Sequence, residues 1–323
     1  MHKKRRILFL NILYHLFTKI LAFFTYAVVY YDRRRAGPPH FTNRKENAFM
    51  KSVNDTGMKR AALINDLSCL GKCSLSVALP ILSAAGVEAV ALPTAILSTH
   101  TGGFDGYVMR DMTEEMQAFI AHWQRIGVHF DCIYTGFFSS VRQIEIARQF
   151  IQDFAQEDTL VLVDPVLGDN GRLYGCFSPD YVQEMRALCK LAHIITPNLT
   201  EAALLTGSSP DDSPEAIMSR LETPNAVITS VPGGEDEIGY LARLNGRMLR
   251  VHKPKLSLEL HGCGDVFASA LCAQLLNDQP LPDALQKAAD FCDGCIRKTA
   301  QRQPGHWYGL AFEDMLKGQD NPT

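Results

Sequence analysis

The sequence predicts a single α/β domain, with a mainly parallel central sheet covered by helices on both faces. Three observations carry that prediction. From residue 60 onward, short apolar runs alternate with longer amphipathic stretches, the pattern of repeated strand–helix–strand units. The short runs read as strands buried on both faces, which is the condition of a helix-covered parallel sheet. A chain of 323 residues, 46% hydrophobic and 21% charged, supplies a large core and excludes a disordered chain, a collagen-like repeat and a disulfide scaffold.

In chain order, residues 61–65 read as the first buried strand. Residues 74–85 read as a helix, and Gly86 turns it into a second strand at 87–92. Helical patterns at 113–126, 141–156 and 179–191 alternate with strands at 132–134, 160–164 and 194–196. A short helix follows Asn198, and a strand covers 226–229. Residues 238–244 and 248–251 flank Asn245-Gly246, a strong hairpin-turn signal. Helices at 264–277 and 282–300 close the pattern. No linker interrupts residues 58–318, which therefore read as one domain, with 319–323 as a tail.

The formal net charge of -3 hides an uneven distribution. Ahead of residue 50 there are ten Lys/Arg against Asp32 and Glu46, a balance of +8, so the rest carries 22 bases and 33 acids, a balance of -11. An acidic body argues against general nucleic-acid binding, which needs a basic surface. The front piece, 1–57, is basic and partly apolar. Its stretch 7–31 has the length of a membrane-spanning helix, but Asn11, His15 and Lys19 interrupt it. No small-residue cleavage site follows it. Three readings stay open: an appended or mis-started segment, with a natural start near Met50 or Met58; a membrane anchor or targeting segment; or a helix packed on the body. Membrane contact is expected only if this segment belongs to the working protein.

The nine cysteines are scattered and odd in number, which suits reduced, buried thiols and a cytoplasmic setting. Cys292-Asp-Gly-Cys295 has metal-ligand spacing but lacks a second pair, so two helix positions are the better reading.

In open α/β sheets, ligands sit beyond the carboxyl ends of the strands. Three polar segments lie there. In His261-Gly262-Cys263-Gly264-Asp265, a glycine-rich turn opens directly into a helix. Glycines admit an anion close to the backbone, and the helix N-terminus holds negative charge. Asp265 could be only a helix-terminus carboxylate. A carboxylate beside an anion pocket also suits phosphoryl transfer, as acceptor of a hydroxyl proton. The second segment runs from Asp164-Pro165 to Asp169-Asn170-Gly171 and reads as a turn or as a site. In the third, 195–202, Asn198 and Glu201 have capping-box spacing.

Taken in this order, and with Ile64-Asn65-Asp66-Leu67-Ser68, Ser98-Thr99-His100-Thr101-Gly102, Tyr134-Thr135-Gly136-Phe137 and Val227-Ile228-Thr229-Ser230, these segments resemble the ribokinase-like superfamily and, within it, the pyridoxal/pyridoxamine kinases. The resemblance covers residues 60–315. It implies ATP-dependent phosphorylation of the 5′-hydroxymethyl group of pyridoxal, pyridoxamine or pyridoxine. Asp265 would be the base, and Gly262, Cys263 and Gly264 the backbone anion hole. Asp164 and Glu201 would act on Mg²⁺ near the triphosphate, with Asn198 and Asp169 close by, and Thr229 would contact the nucleotide. Ser68 would reach the polar edge of the pyridine ring, Thr101 would help bind it, and Phe137 would offer an aromatic face. The resemblance also implies a homodimer and leaves a monovalent cation open.

Two departures bear on substrate preference. Cys263 replaces the family's Thr in Gly-Thr-Gly-Asp, and Thr99 stands where relatives carry Asn. A thiol at a helix N-terminus can have a lowered pKa. Inert packing is the favoured reading of Cys263, and a reversible thiol–aldehyde adduct the other. The alternative functions are a hydroxymethylpyrimidine kinase of the same superfamily, or a membrane-tethered, non-catalytic binding protein.

Overall fold

Strand β1 (Arg60–Leu70) starts a sheet that carries helices on both faces. The computed structural model describes residues 54, 56–209, 211–258, 260–302 and 305–317. The basic front segment, with its anchor and targeting readings, lies outside the described residues. Among the described residues, no helix is long and apolar enough to cross a membrane.

After β1 come α1 (Leu75–Ala84), β2 (Glu88–Thr99), β3 (Met109–Asp111), α2 (Thr113–Ile126), β4 (Cys132–Thr135), α3 (Val141–Phe154) and β5 (Leu160–Val163). A small hairpin, β6 (Gly168–Asp169) and β7 (Arg172–Leu173), follows. Next are α4 (Pro179–Cys189), β8 (Ile194–Ile195), α5 (Leu199–Thr206), α6 (Pro214–Arg220), β9 (Asn225–Pro232), β10 (Glu237–Leu244) and β11 (Arg247–Pro254). The described chain closes with α7 (Cys263–Leu276), α8 (Leu281–Ala300) and α9 (Glu313–Leu316).

The nine-stranded sheet has the order β11-β10-β9-β8-β5-β4-β1-β2-β3. It is parallel from β2 through β9, and antiparallel at both margins, where β3 pairs with β2 and β10 joins β9 to β11. Alternation along β1 shows how the two faces are filled. Ala62 and Ile64 enter one core with residues of α2 to α6, whereas Ala61 and Leu63 enter the other with α1, α7 and α8.

Strands β1 and β2 outrun the apolar pattern, staying paired as far as Leu70 and Thr99. Their register shifts between Asn65 and Leu67, where the sequence turns polar. The elements the periodicity misses are β3, β6, β7, α6 and α9, which span two to seven residues each, too few for a period to register. All nine cysteines are free, and Cys292 and Cys295 are buried positions of α8, as helix spacing predicts.

The end of the described chain returns to its beginning. The Lys72 N–H donates to the Tyr308 carbonyl (3.3 Å), and Lys72 forms a parallel bridge with Gly309. Lys72 Nζ pairs with Glu313 and stands 5.0 Å from the centroid of the Phe312 ring.

Candidate active site

The start of α7 is built around Gly262. It adopts the left-handed region at φ 80°, which favours glycine, and a Cβ there would overlap the Lys72 carbonyl oxygen. A helix leaves its first N–H groups without intrahelical partners. Here these belong to Gly262, Cys263, Gly264 and Asp265, and no described backbone carbonyl outside the helix accepts from them. Gly264 faces a second strand end: a Cβ on it would stand 3.8 Å from Asp164 Oδ2.

Asp265, in the first turn of α7, has its carboxyl pushed up to about 7 by burial and by the neighbouring Asp164, with Asp66 adding to the rise. The Ser74 backbone N–H and the Asn65 side chain oppose it. A carboxyl held in that range can accept a proton at neutral pH and release it afterwards.

Asp164 follows β5 directly, and its N–H donates to the Thr135 carbonyl (2.9 Å). Thr196 Oγ1 donates to Asp164 Oδ1 (3.0 Å), while burial pushes this carboxyl up to about 7 as well. The capping box expected at Asn198 and Glu201 is present. The Glu201 N–H donates to Asn198 Oδ1 (2.9 Å), and the Asn198 N–H donates to Glu201 Oε2 (2.8 Å). Glu201 Oε1 accepts from the Leu167 N–H (3.1 Å), so both carboxylate oxygens are held by backbone. Burial, and then Asp164, push its carboxyl well above the usual range. Structural and electrostatic roles thus meet in one side chain.

Asn198 Nδ2 donates to the Gly168 carbonyl (2.9 Å), which fixes the β6–β7 hairpin beside these acids. Asp169, on that hairpin, is exposed and accepts from the Asn170 N–H (2.8 Å). The Thr229 N–H donates to the Pro197 carbonyl (2.8 Å), so β9 lies against the start of α5.

Among the described residues, no group of three or more His, Cys, Asp or Glu is arranged to hold a metal ion by itself. Mg²⁺ is commonly held by one or two carboxylates together with substrate phosphates and water. Asp164, with Oδ2 turned toward Gly264 and Glu201 adding negative charge behind it, fits a cation shared in that way.

On the other side of Asp265, β1 carries Asn65, Asp66 and Ser68, all buried. Asn65 Oδ1 accepts from the N–H groups of Asp66 (2.9 Å) and Phe137 (2.8 Å). Only glycine fits at 136, since a Cβ there would run into the Asn65 amide. Ser68 Oγ donates to Asp66 Oδ2 (3.0 Å). The half-buried Phe137 ring stands 6.0 Å from that of Phe177. Thr101 is exposed, in the loop after β2. Beside it, His100 Nδ1 accepts from the Gly102 N–H (3.1 Å), which leaves the ring proton on Nε2 for the Tyr308 carbonyl (2.8 Å).

The surroundings of Cys263 favour inert packing over a reactive thiol. Burial, reinforced by Asp265, pushes the Cys263 thiol up to about 12, against the lowering a helix N-terminus can give. Its side chain packs with the core of α7 and α8. Asn65, Asp66 and Ser74 are site residues that the sequence reading did not single out. The polar pair ending the first apolar run was the available signal for Asn65 and Asp66. Ser74, with φ 56°, reads from sequence only as a helix start.

A sequence model of the phosphomethylpyrimidine kinase family matches residues 79–310. The fold superposes on a Bacteroides thetaiotaomicron protein assigned as a phosphomethylpyrimidine kinase and solved with pyridoxal. The two are 39% identical, with a TM-score of 0.77, covering 82% of this chain and 97% of the other. Pyridoxal kinase from Lactobacillus plantarum is 34% identical, with a TM-score of 0.75, covering 81% of this chain and 96% of the other. A hydroxymethylpyrimidine/phosphomethylpyrimidine kinase from Haemophilus influenzae is 28% identical over 181 residues, which is 53% of this chain and 66% of that protein.

Proposed function

We propose that this chain, which belongs to the phosphomethylpyrimidine kinase family alongside pyridoxal kinases and within the ribokinase-like superfamily, is an ATP-dependent kinase for the 5′-hydroxymethyl group of a vitamin B6 ring. The observation that carries this reading is the placement of Asp265. It sits at a helix start whose first N–H groups give no bond to a described backbone carbonyl outside the helix, and its carboxyl is raised to about 7.

In this reading, Asp265 takes the proton from the substrate hydroxyl as the hydroxyl oxygen bonds to the γ-phosphorus of ATP and the bond from that phosphorus to the β,γ-bridging oxygen breaks, releasing ADP. The N–H groups of Gly262, Cys263 and Gly264 receive the negative charge of the transferring phosphoryl group. Asp164, supported by Glu201, would hold Mg²⁺, which would offset triphosphate charge among these acids. Asn198, Asp169 and Thr229 line the nucleotide side, and Ser68, Thr101 and Phe137 the ring side. The kinase domain is residues 58–318 and acts in the cytoplasm as a homodimer, with membrane contact only if the front segment belongs to the working protein.

The choice of a pyridine over a pyrimidine ring rests on the Ser-x-His-Thr-Gly and Asp-Pro-Val-Leu-Gly-Asp segments, and on the 39% identity to a protein solved with pyridoxal. A hydroxymethylpyrimidine kinase is the second reading, favoured by the family description and the Haemophilus influenzae relative. Incubation with Mg²⁺-ATP and each candidate alcohol tests both. Phosphate transfer to a B6 vitamer is expected. Transfer to hydroxymethylpyrimidine alone would establish the second reading, and transfer to neither, in folded protein, would leave the non-catalytic binding role.

A further inference from the structure

The chemistry proposed above uses Asp265, Asp164 and Glu201 and leaves a fourth buried acid without a task. Asp66 is 6% exposed, on β1, with its carboxylate accepting from Ser68 Oγ (3.0 Å) and from the Ser74 hydroxyl. The titratable groups that face it are Asp265 from the start of α7, His100 from the loop after β2, and Cys73 from the loop ahead of α1. The ion pairs of the described lysines and arginines go to other acids, so the His100 ring, held by the Gly102 N–H (3.1 Å) and the Tyr308 carbonyl (2.8 Å), is the basic group beside Asp66 that opposes the rise of its carboxyl. Burial still outweighs these partners and disfavours the charged carboxylate, which a positively charged ligand would favour again.

We infer that Asp66 makes the ring pocket select a substrate ring that carries positive charge, with Ser68 Oγ accepting the hydrogen bond from the ring N–H. This rests on the kinase reading and names the form of substrate that it takes. The Ser68 hydroxyl proton is committed to Asp66, so Oγ offers the ligand only lone pairs. A hydroxymethylpyridine protonated at nitrogen fits such an acceptor, and so does one bearing an aminomethyl group. An aminopyrimidine is a weaker base and brings less charge. Burial raises the Asp66 carboxyl, so a cationic ring restores the charged form that the empty pocket disfavours. Asn65 marks the same pocket from the opposite polarity. Its Nδ2, buried beside Gly136, is the donor by which the Asn65 side chain opposes the rise of the Asp265 carboxyl.

The test is an absorbance titration of the full chain with pyridoxine, without ATP, since protonated and unprotonated rings absorb differently. The bound ring is expected to keep its nitrogen proton to a higher pH than free pyridoxine. Asp66→Asn is expected to abolish that shift and to raise KM for pyridoxine and pyridoxamine about tenfold or more, with KM for ATP held within about twofold. An unshifted ring in the unmodified chain overturns the inference, as does an Asp66→Asn enzyme with unchanged KM values and an unchanged shift. If that variant fails to fold, the unmodified chain's titration decides alone. A shifted, bound ring with no phosphate transfer sinks the kinase reading and leaves the charge selection standing. Failure to bind pyridoxine sinks both.

Discussion

Gly262 and Lys72 meet so closely that no side chain can stand between them: a Cβ on Gly262 would overlap the Lys72 carbonyl oxygen. Gly262→Ala must therefore push apart the start of α7 and the loop after β1, while also placing a non-glycine residue at φ 80°. A loss of about 1–3 kcal/mol in stability is expected. An anion hole displaced by about 1 Å should lower kcat about 100-fold. Thermal unfolding and steady-state kinetics on the same sample check the two effects together.

Asp265→Asn keeps the size of the side chain and removes its ability to take a proton. Turnover is expected to fall by about 10²–10⁴ or more, with nucleotide affinity largely kept. Calorimetric titration with ATP and Mg²⁺ separates binding from chemistry. Unchanged turnover would refute the role of Asp265 as base.

The stability of the ligand-free protein should fall as pH rises from acid to neutral. Asp164 and Asp265 each have a carboxyl raised from 3.8 to about 7, so between those values the folded chain binds more protons than the unfolded chain. That contribution is complete below the ordinary carboxylate value and is lost by the time the pH passes the raised one. Asp164→Asn removes one charge from the set. It is expected to stabilise the ligand-free protein at pH 8 by about 1–3 kcal/mol and to flatten the pH dependence. Denaturant unfolding curves measured across this range check it, and a steeper dependence in the variant would contradict it.

Asn198→Ala removes the acceptor for the Glu201 N–H and the donor to the Gly168 carbonyl. Loss of the cap is expected to cost about 1–2 kcal/mol. The β6–β7 hairpin loses its tie to α5, so KM for ATP should rise more than kcat falls, the reverse of Asp265→Asn. Kinetics with ATP as the varied substrate tell the two patterns apart.

The fold was legible wherever an element was long enough to show its period. Residues 113–126 were read as a helix with the bounds that α2 has, and the Asn245-Gly246 turn joins β10 to β11 as its chemistry dictates. The start of α7 was legible for a local reason, since Gly-x-Gly ahead of an apolar run has few other uses. The capping box at Asn198 and Glu201 was equally local. What the sequence could not convey is where distant polar residues meet. Asp66 and Asp265 are 199 positions apart, and only the tertiary fold brings their charges together. Ser74 was read as the start of a helix, yet its left-handed backbone aims an N–H at Asp265, a consequence of tertiary packing that no local propensity encodes. At Cys263 the rule about helix ends and the apolar surroundings point in opposite directions, and burial decides for the inert thiol that the sequence reading favours.

The bridge between Lys72 and the 308–313 segment joins residues as much as 241 positions apart. Ribosomal synthesis runs from one end of the chain to the other, so the loop that supports Gly262 is made long before its anchor. Until Glu313 has emerged, Lys72 has neither its ion pair nor the Tyr308 carbonyl, and α7 starts against an unsecured loop. A growing chain therefore passes through a long interval in which the sheet can be complete while the phosphate-receiving turn is still unsupported. Competence thus waits for the 308–313 segment to reach Lys72, rather than for the assembly of the core alone.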